Sequence, residues 1–367
     1  MKPKKFHIQH FPSERIRILF KDNNAFLDEN IKYFGSKQEL AYFLSVSPQL
    51  IDHWKKPNRF IPLSSIKKIV SKRKLDWDKI EKKIIAYKGP NLSNIITNPK
   101  LPIIESPELF AIIGHLIGDG SVNKNGIPIY TNKDKTLIEN FHKLVNSVFG
   151  NIQGKLYKTN SDCYQYTSSK IISDLLYSFY KIKFDTYNSR IPKRVEKLPP
   201  KFSILLIKAL TDDEGSVDLN HRITLFLRNK YILKSIRALL IKKLGFSNIS
   251  SVIQKTKLDY YLAIRSKDIE KYFNIIGFNH PIKNKILSDI IKIRKKSLGV
   301  RRKKDTTKNE IQRLLSNKIF STNEITFKLG ITKSNVTAQI TKLKNEGLIK
   351  MYDKKGQTIR WTNMEVY

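Results

Sequence analysis

Two apolar segments that each end in an acidic residue constrain the fold of this chain most strongly. The first reads IIGHLIGDG over residues 112–120, and the second reads IKALTDDEG over residues 207–215. Each run stops at a carboxylate, Asp119 or Glu214, and Gly-Ser-Val follows in both places. A helix that is apolar on all sides must be buried on all sides. We therefore expect two buried helices that pack against each other.

The elements around these segments also repeat. After each segment the pattern predicts a strand, a helix, two strands and a helix, and an extra strand at each Gly-Ser-Val completes four strands per copy. Such a duplication favours two halves related by a pseudo-two-fold axis. Gly114 and Gly118 lie four residues apart, and with Ala209 on the second helix they allow the two backbones to approach closely.

Close packing of the two helices would bring Asp119 and Glu214 together. Two neighbouring carboxylates repel each other unless a cation lies between them. A site made only of oxygen ligands indicates Mg²⁺, with Mn²⁺ able to substitute. Gly118 and Asp213 are the further candidates for this metal site.

The charge of the chain indicates its partner. Lys and Arg number 69 against 32 acidic residues, which gives a formal net charge of +37. Such an excess favours a polyanion, and a phosphodiester is the substrate that fits a hard divalent cation. The single cysteine excludes an internal disulfide and a cysteine zinc site. The sequence shows no membrane span and no signal peptide, so we expect a cytoplasmic, nucleoid-associated protein.

The two motifs resemble those of the LAGLIDADG (DOD-type) homing endonucleases, in the form that carries both motifs in one chain. The resemblance covers roughly residues 100–295. It implies an α+β fold, a duplicated αββαββα saddle with pseudo-two-fold symmetry, and a monomer that binds double-stranded DNA. The eighth residue of the family motif is the catalytic, metal-binding acid, which corresponds to Asp119 and Glu214. Inteins of this family begin with Cys or Ser and end in His-Asn, whereas this chain begins with Met and ends MEVY, so we expect a freestanding protein.

The resemblance also implies further site residues. In the family, four-stranded sheets lie in the DNA major groove, which is wide enough for a β-ribbon. The groove-facing candidates here, of which strand alternation leaves about half on the wrong face, are Tyr130, Lys155, Tyr157, Lys158, Gln165, Thr224, Arg228, Gln254, Lys255, Lys257 and Tyr261. The family carries a basic residue near the metal, and the candidates that assist catalysis are Arg190, Lys193, Lys283 and Lys285.

One residue departs from the family pattern. Asp213 stands at the seventh position of the second motif, where the family usually has Ala or Gly. A third carboxylate here could loosen the contact between the helices or recruit an additional cation.

The sequence predicts a DNA-binding unit on each side of the duplicated region. Residues 1–88 predict a helical domain with a helix-turn-helix, in which Ser47 caps the second helix, Pro48 starts it, and Gln49 and His53 are exposed. We predict a linker at residues 89–105, the first repeat at 106–200, the second repeat at 201–295 and a basic linker at 296–308. Residues 309–367 predict a winged helix. Its DNA-binding candidates are Asn335, Gln339, Lys354 and Lys355.

These features predict a site-specific, Mg²⁺-dependent endonuclease of the intron-homing type. One alternative is a transcription regulator that uses the same scaffold without cleavage, as some bacterial regulators of sporulation and division resemble this fold. The two flanking DNA-binding units favour the regulator, whereas the acid at both motif ends favours the nuclease. A splicing maturase on the same fold is the other alternative.

Overall fold

The structure, a computed structural model, describes residues 1–12, 16–89, 94–297, 305–316, 318–356 and 358–364. Helices and strands both contribute widely, so the chain belongs to the mixed α+β class. It divides into two compact units: the first comprises Met1–Glu214 and Arg228–Leu239, and the second comprises Gly215–Leu227 and Leu240–Tyr367. Among the described residues, no helix has the length and apolar character needed to cross a bilayer.

The first unit begins with interleaved strands and helices rather than with helices alone. Its early elements are β1 (Lys5–Phe6), a 3-10 turn (Ile8–His10), β2 (Arg17–Phe20), α1 (Asn23–Phe34), α2 (Lys37–Leu44), α3 (Pro48–Lys55), β3 (Ile61–Pro62), α4 (Leu63–Arg73), α5 (Trp77–Glu81), β4 (Ile84–Lys88), β5 (Ile96–Thr97) and β6 (Ile103–Ile104). The Ser47 side chain accepts the Leu50 amide with Pro48 at the start of α3, which confirms the predicted cap.

The expected linker at 89–105 contains paired strands, so that prediction is wrong for residues 94–105. Strand β5 pairs with β4 on one side and with β9 (Asn151–Ile152) on the other, and β6 pairs with β1. Ile96 and Ile103 are fully buried. Because burial of apolar side chains is favourable, these contacts hold the segment in place on the first unit. Residues 90–93 lie outside the described part of the chain.

The first repeat lies wholly in the first unit. Its elements are α6 (Pro107–Ile117), β7 (Gly120–Val122), β8 (Pro128–Asn132), α7 (Lys135–Phe149), β10 (Lys155–Lys158), β11 (Tyr164–Thr167) and α8 (Lys170–Tyr180). The strands form a four-stranded antiparallel sheet in the order β10-β11-β8-β7. The Ser106 side chain accepts a hydrogen bond from the Leu109 amide, and Pro107 stands in the first turn, so both residues mark the start of α6.

The second repeat is divided between the two units. Helices α9 (Pro200–Glu214) and α10 (Lys230–Ala238) belong to the first unit. The second unit holds β12 (Gly215–Asp218), β13 (Arg222–Leu227), β14 (Ile253–Gln254), β15 (Tyr260–Ile264), α11 (Ile269–Ile275) and α12 (Pro281–Ser297). Its four-stranded sheet runs β12-β13-β15-β14, the same topology as β7-β8-β11-β10 in the first repeat. The strand predicted at each Gly-Ser-Val is confirmed by β7 and β12.

The second unit ends in a helical cluster with a small sheet. Its elements are α13 (Thr306–Leu315), β16 (Phe320–Ser321), α14 (Thr322–Leu329), α15 (Lys333–Asn345), β17 (Ile349–Lys355) and β18 (Thr358–Asn363), with the strands in the order β16-β18-β17. Its buried core includes Ile311, Ile325, Val336, Ile340 and Trp361. Thr332 caps α15, because its side chain accepts a hydrogen bond from the Asn335 amide. Within the basic linker expected at 296–308, residues 298–304 lie outside the described residues.

Candidate metal and DNA-binding site

Helices α6 and α9 pack with almost no space between their backbones. A Cβ atom added to Gly114 would lie 2.8 Å from the Ala209 Cβ and 2.8 Å from the Leu206 carbonyl oxygen. Only glycine avoids this overlap, since any larger residue would force the helices apart. Because Gly114 and Ala209 are the third residues of their motifs, the contact joins corresponding positions of the two helices.

The two motif acids stand at the ends of these packed helices. Asp119 follows Gly118, the C-cap of α6, and Glu214 is the last residue of α9; both residues are half-buried. The Asn132 amide donates to Asp119 Oδ2 over 2.7 Å, and the Thr131 amide donates to the Asp119 carbonyl over 3.4 Å. Carboxylate oxygens in a half-buried setting are suitable ligands for a hard divalent cation.

Asp213 is placed differently from the other acids, because its side chain is fully buried. Tyr130 Oη donates to Asp213 Oδ1 over 2.6 Å, and His115 Nδ1 lies 3.2 and 3.1 Å from its two oxygens. The sequence alone does not reveal His115, Tyr130 or Asn132 as partners of the acids. The available signal was His115 itself, a titratable residue inside an otherwise apolar motif.

The environment of His115 favours its charged form. Burial by itself lowers the pKa of this imidazole. The Asp213 carboxylate opposes that effect through its charge and its hydrogen bond, and Asp212 and Asp119 add to it. The pKa of His115 is therefore raised above its ordinary value. The same burial and the same acids raise the pKa of Tyr130, so its hydroxyl keeps its proton and acts as a donor.

The first sheet has one face toward the core and one face toward solvent. Tyr130 is fully buried, so its prediction as a groove-facing residue is wrong: alternation along β8 turns it toward Asp213. Lys158 is exposed, but the register places it beside Tyr164 and Asn132 on the Tyr130 face, where it pairs with Asp162. The opposite face carries Lys155, Tyr157 and Gln165. Lys155 and Tyr157 are exposed.

The second sheet divides in the same way. Gln254 pairs with Tyr260, which lies on the same face of the sheet as the buried Leu262. Its side chain is nevertheless exposed near the sheet edge. Tyr261 and Phe226 lie on the other face with their ring centroids 6.0 Å apart. Three further candidates are exposed at the strand ends, namely Arg228, Lys255 and Lys257. Thr224 lies on the same face of the sheet as Phe226, but its side chain is buried.

The four candidate basic residues fall in different parts of the chain. Arg190 is exposed, donates to the carbonyls of Tyr187 and Ser189, and lies 4.3 Å from the centroid of the Tyr231 ring. Lys193 is exposed in a 3-10 turn of the first unit. Lys283 and Lys285 lie on α12 in the second unit.

The flanking candidates are mostly exposed. Gln49 and His53 are exposed on α3, and the apolar Leu50 between them is 37% exposed. Asn335 and Lys354 are exposed, Gln339 is half-buried, and the Lys355 side chain lies outside the described part of the structure. Within the second unit, the Lys333 amide donates to the Leu219 carbonyl and the Ser334 amide donates to Asn220 Oδ1. The first turn of α15 therefore contacts the turn between β12 and β13.

Comparison with known proteins gives distant similarities. No family model matches the chain. A glutamine–fructose-6-phosphate aminotransferase of Methanocaldococcus jannaschii is 26% identical over 225 residues, which are 57% of this chain and 20% of that protein. The chain thus spans about a fifth of the length of this curated relative.

Solved structures are similar over about half of the chain or somewhat more. The homing endonuclease I-DmoI in complex with DNA and Ca is 20% identical, with a TM-score of 0.37, and the match covers 50% of this chain and 97% of that one. Full-length DUF199/WhiA from Thermatoga maritima is 13% identical, with a TM-score of 0.34, over 65% of this chain and 91% of that one.

Proposed function

We propose that this protein is a site-specific DNA endonuclease that hydrolyses phosphodiester bonds with a divalent cation. The proposal rests chiefly on one observation: two half-buried acids, Asp119 and Glu214, stand at the ends of two helices that leave no room for a Cβ atom at Gly114. A protein that only binds DNA gains nothing from carboxylates directed at phosphates, since like charges repel.

The residues present fit a magnesium ion. Asp119 and Glu214 offer carboxylate oxygens and Gly118 offers a backbone carbonyl, a donor set of the kind that Mg²⁺ or Mn²⁺ accepts. When bound, the ion would lower the pKa of a coordinated water and polarise the scissile phosphate. Asp119 is held for this role by Asn132, and Glu214 is the last residue of α9.

DNA contacts are assigned to the solvent-facing sheet surfaces and to the flanks. Lys155 and Tyr157 in the first repeat, and Lys255 and Tyr261 in the second, combine cationic and aromatic groups on one face of each sheet. A net charge of +37 supplies the sequence-independent attraction to phosphate. The basic residues Arg190, Lys193, Lys283 and Lys285 are the candidates for assisting the chemistry.

A DNA-binding regulator without cleavage is the second candidate function. The observation in its favour is α3, a capped helix that exposes Gln49 and His53 beside the cationic Lys55 and Lys56. In a regulator, sequence recognition would reside in such flanks rather than in the duplicated core.

One experiment separates the two functions. Sites are selected from a random duplex library with the full chain in EDTA, and the bound DNA is then incubated with Mg²⁺, Mn²⁺ or Co²⁺. An endonuclease cuts within the selected footprint only when metal is added. A clear footprint without cleavage in any of the three metals would establish the regulator instead.

A further inference from the structure

Asp213 occupies the space that a glycine leaves free on the opposite motif. A Cβ atom added to Gly118 would lie 2.7 Å from Asp213 Oδ2 and 2.9 Å from the Asp213 Cβ. Gly118 and Asp213 are both the seventh residues of their motifs. The acidic side chain of one motif therefore lies directly over the backbone of the other, just before Asp119.

The Asp213 carboxylate is engaged by protein donors on both oxygens. Oδ1 accepts a hydrogen bond from the Tyr130 hydroxyl at 2.6 Å and lies 3.2 Å from His115 Nδ1. Oδ2 lies 3.1 Å from His115 Nδ1 and 3.5 Å from the Asp119 amide nitrogen, which donates to it. Three donors, namely Tyr130, His115 and the Asp119 amide, thus engage the two oxygens, and the side chain is fully buried.

Strand β8 links this carboxylate to the motif acid. Tyr130 and Asn132 are two residues apart and so share one face of the strand. Tyr130 donates to Asp213, and Asn132 donates to Asp119 Oδ2 over 2.7 Å. The backbone amide of Asp119 donates a hydrogen bond to Asp213, and the backbone carbonyl of Asp119 accepts one from the Thr131 amide. The backbone of Asp119 and one of its side-chain oxygens are thus fixed by a single network.

We propose that Asp213 is a positioning residue, not a metal ligand: it holds the turn at Gly118 so that Asp119 is already oriented before metal and DNA arrive. This inference rests on the proposed nuclease function. It replaces the interpretation of Asp213 as a carboxylate that recruits a further cation. A preorganised ligand avoids reorganisation during the reaction, which is where such fixed groups contribute to catalysis.

Two conservative variants of the full chain separate the links of the network. In Asp213→Asn, the amide oxygen still accepts from Tyr130 and the amide nitrogen can donate to neutral His115. That nitrogen cannot accept from the Asp119 amide, so the link to Asp119 is lost. Tyr130→Phe is the matched variant: it removes one donor to Asp213 and leaves the link to Asp119 intact.

The first readout is amide hydrogen exchange of peptides that contain residues 118–120, which needs neither metal nor activity. We expect faster exchange in Asp213→Asn than in Tyr130→Phe, with the rest of α6 protected as in the wild type. Equal exchange in wild type and Asp213→Asn would overturn the positioning role, whether or not the protein cleaves DNA.

The second readout is Mn²⁺ titration of binding and single-turnover cleavage. For Asp213→Asn we expect an unchanged KM for DNA, a higher half-saturating Mn²⁺ concentration and a kcat lowered by about ten- to a hundredfold, the scale of a small misplacement. The comparison is Asp119→Asn, which should bind no Mn²⁺ at this site. If Asp213→Asn loses Mn²⁺ binding as completely, Asp213 is a ligand and the proposal is wrong. If the wild type neither binds Mn²⁺ nor cleaves, the nuclease function fails, and hydrogen exchange alone decides the positioning role.

Discussion

Glu105 is a buried carboxylate whose donors come from distant parts of the chain. Its side chain is 0% exposed. The carboxylate accepts hydrogen bonds from the Lys4 amide at 2.9 Å, the Tyr180 hydroxyl at 3.0 Å and Arg194 Nε at 2.6 Å. A buried ion is tolerated only when it is paired and hydrogen-bonded. These bonds connect the N-terminal segment, the start of α6 and the turn before α9.

Loss of the guanidinium should therefore destabilise the protein strongly. We expect Arg194→Ala to lower the free energy of unfolding by about 3–5 kcal/mol, because Glu105 would remain buried without its counter-ion. The neighbouring exposed residue supplies the control: Lys193→Ala should change stability by less than about 0.5 kcal/mol. Urea unfolding measures both variants, and similar midpoints for Arg194→Ala and wild type would contradict this account.

At the residue scale, the signals that the sequence offers are local ones. Asp119 and Glu214 could be identified as candidates because each ends an apolar run before glycine. The partners of Asp213 could not be foreseen, since His115 and Tyr130 reach it only through the contact of two helices and the pleat of β8. Tyr130 was misplaced because strand alternation predicts which residues share a face, but not which of the two faces is buried.

At the scale of elements, the contact between α6 and α9 depends on the absence of one methyl group. Gly114→Ala places a Cβ 2.8 Å from the Ala209 Cβ and the Leu206 oxygen, so the helices must shift. We expect a loss of about 1–3 kcal/mol in unfolding free energy. Adding Ala209→Gly should recover part of that loss, because it removes one of the two clashing atoms. Additive losses in the double variant would mean that the two residues are not in contact.

The two faces of the first sheet should differ in DNA binding. Lys155 lies on the solvent face, whereas Lys158 lies on the Tyr130 face and pairs with Asp162. We expect Lys155→Ala to reduce the slope of log affinity against log salt by about one, the loss of one phosphate contact. Lys158→Ala should leave the slope unchanged. Fluorescence anisotropy at several salt concentrations measures both, and equal slopes for the two variants would refute the assigned face.

Element order was more predictable than element pairing. The repeated pattern gave the helices and both four-stranded sheets, because amphipathic periodicity and caps such as Ser106 and Thr332 are local signals. The short strands β5 and β6 were not predicted. Each has only two residues, and β6 pairs with the distant β1 while β5 bridges β4 and the distant β9.

At the scale of the whole molecule, the compact units do not follow the predicted domains. Helix α9 opens the second repeat in sequence, yet it belongs to the first unit because it packs on α6. In the second unit, the first turn of α15 bonds to Leu219 and Asn220 of the β12–β13 turn. The C-terminal segment is therefore attached to its unit by direct contacts, which sequence-based domain boundaries do not reveal.

The central claim is that Asp119 and Glu214 carry out metal-dependent cleavage on a scaffold that binds DNA without them. Its most direct test compares wild type with Asp119→Asn and Glu214→Gln, which keep the shape of each side chain and remove its charge. On one footprinted duplex with Mg²⁺, both variants should bind with the affinity of the wild type. Cleavage should fall by on the order of a hundredfold or more, since a lost metal ligand removes several kcal/mol of transition-state stabilisation. Unchanged cleavage in either variant, or binding lost together with cleavage, would contradict the account.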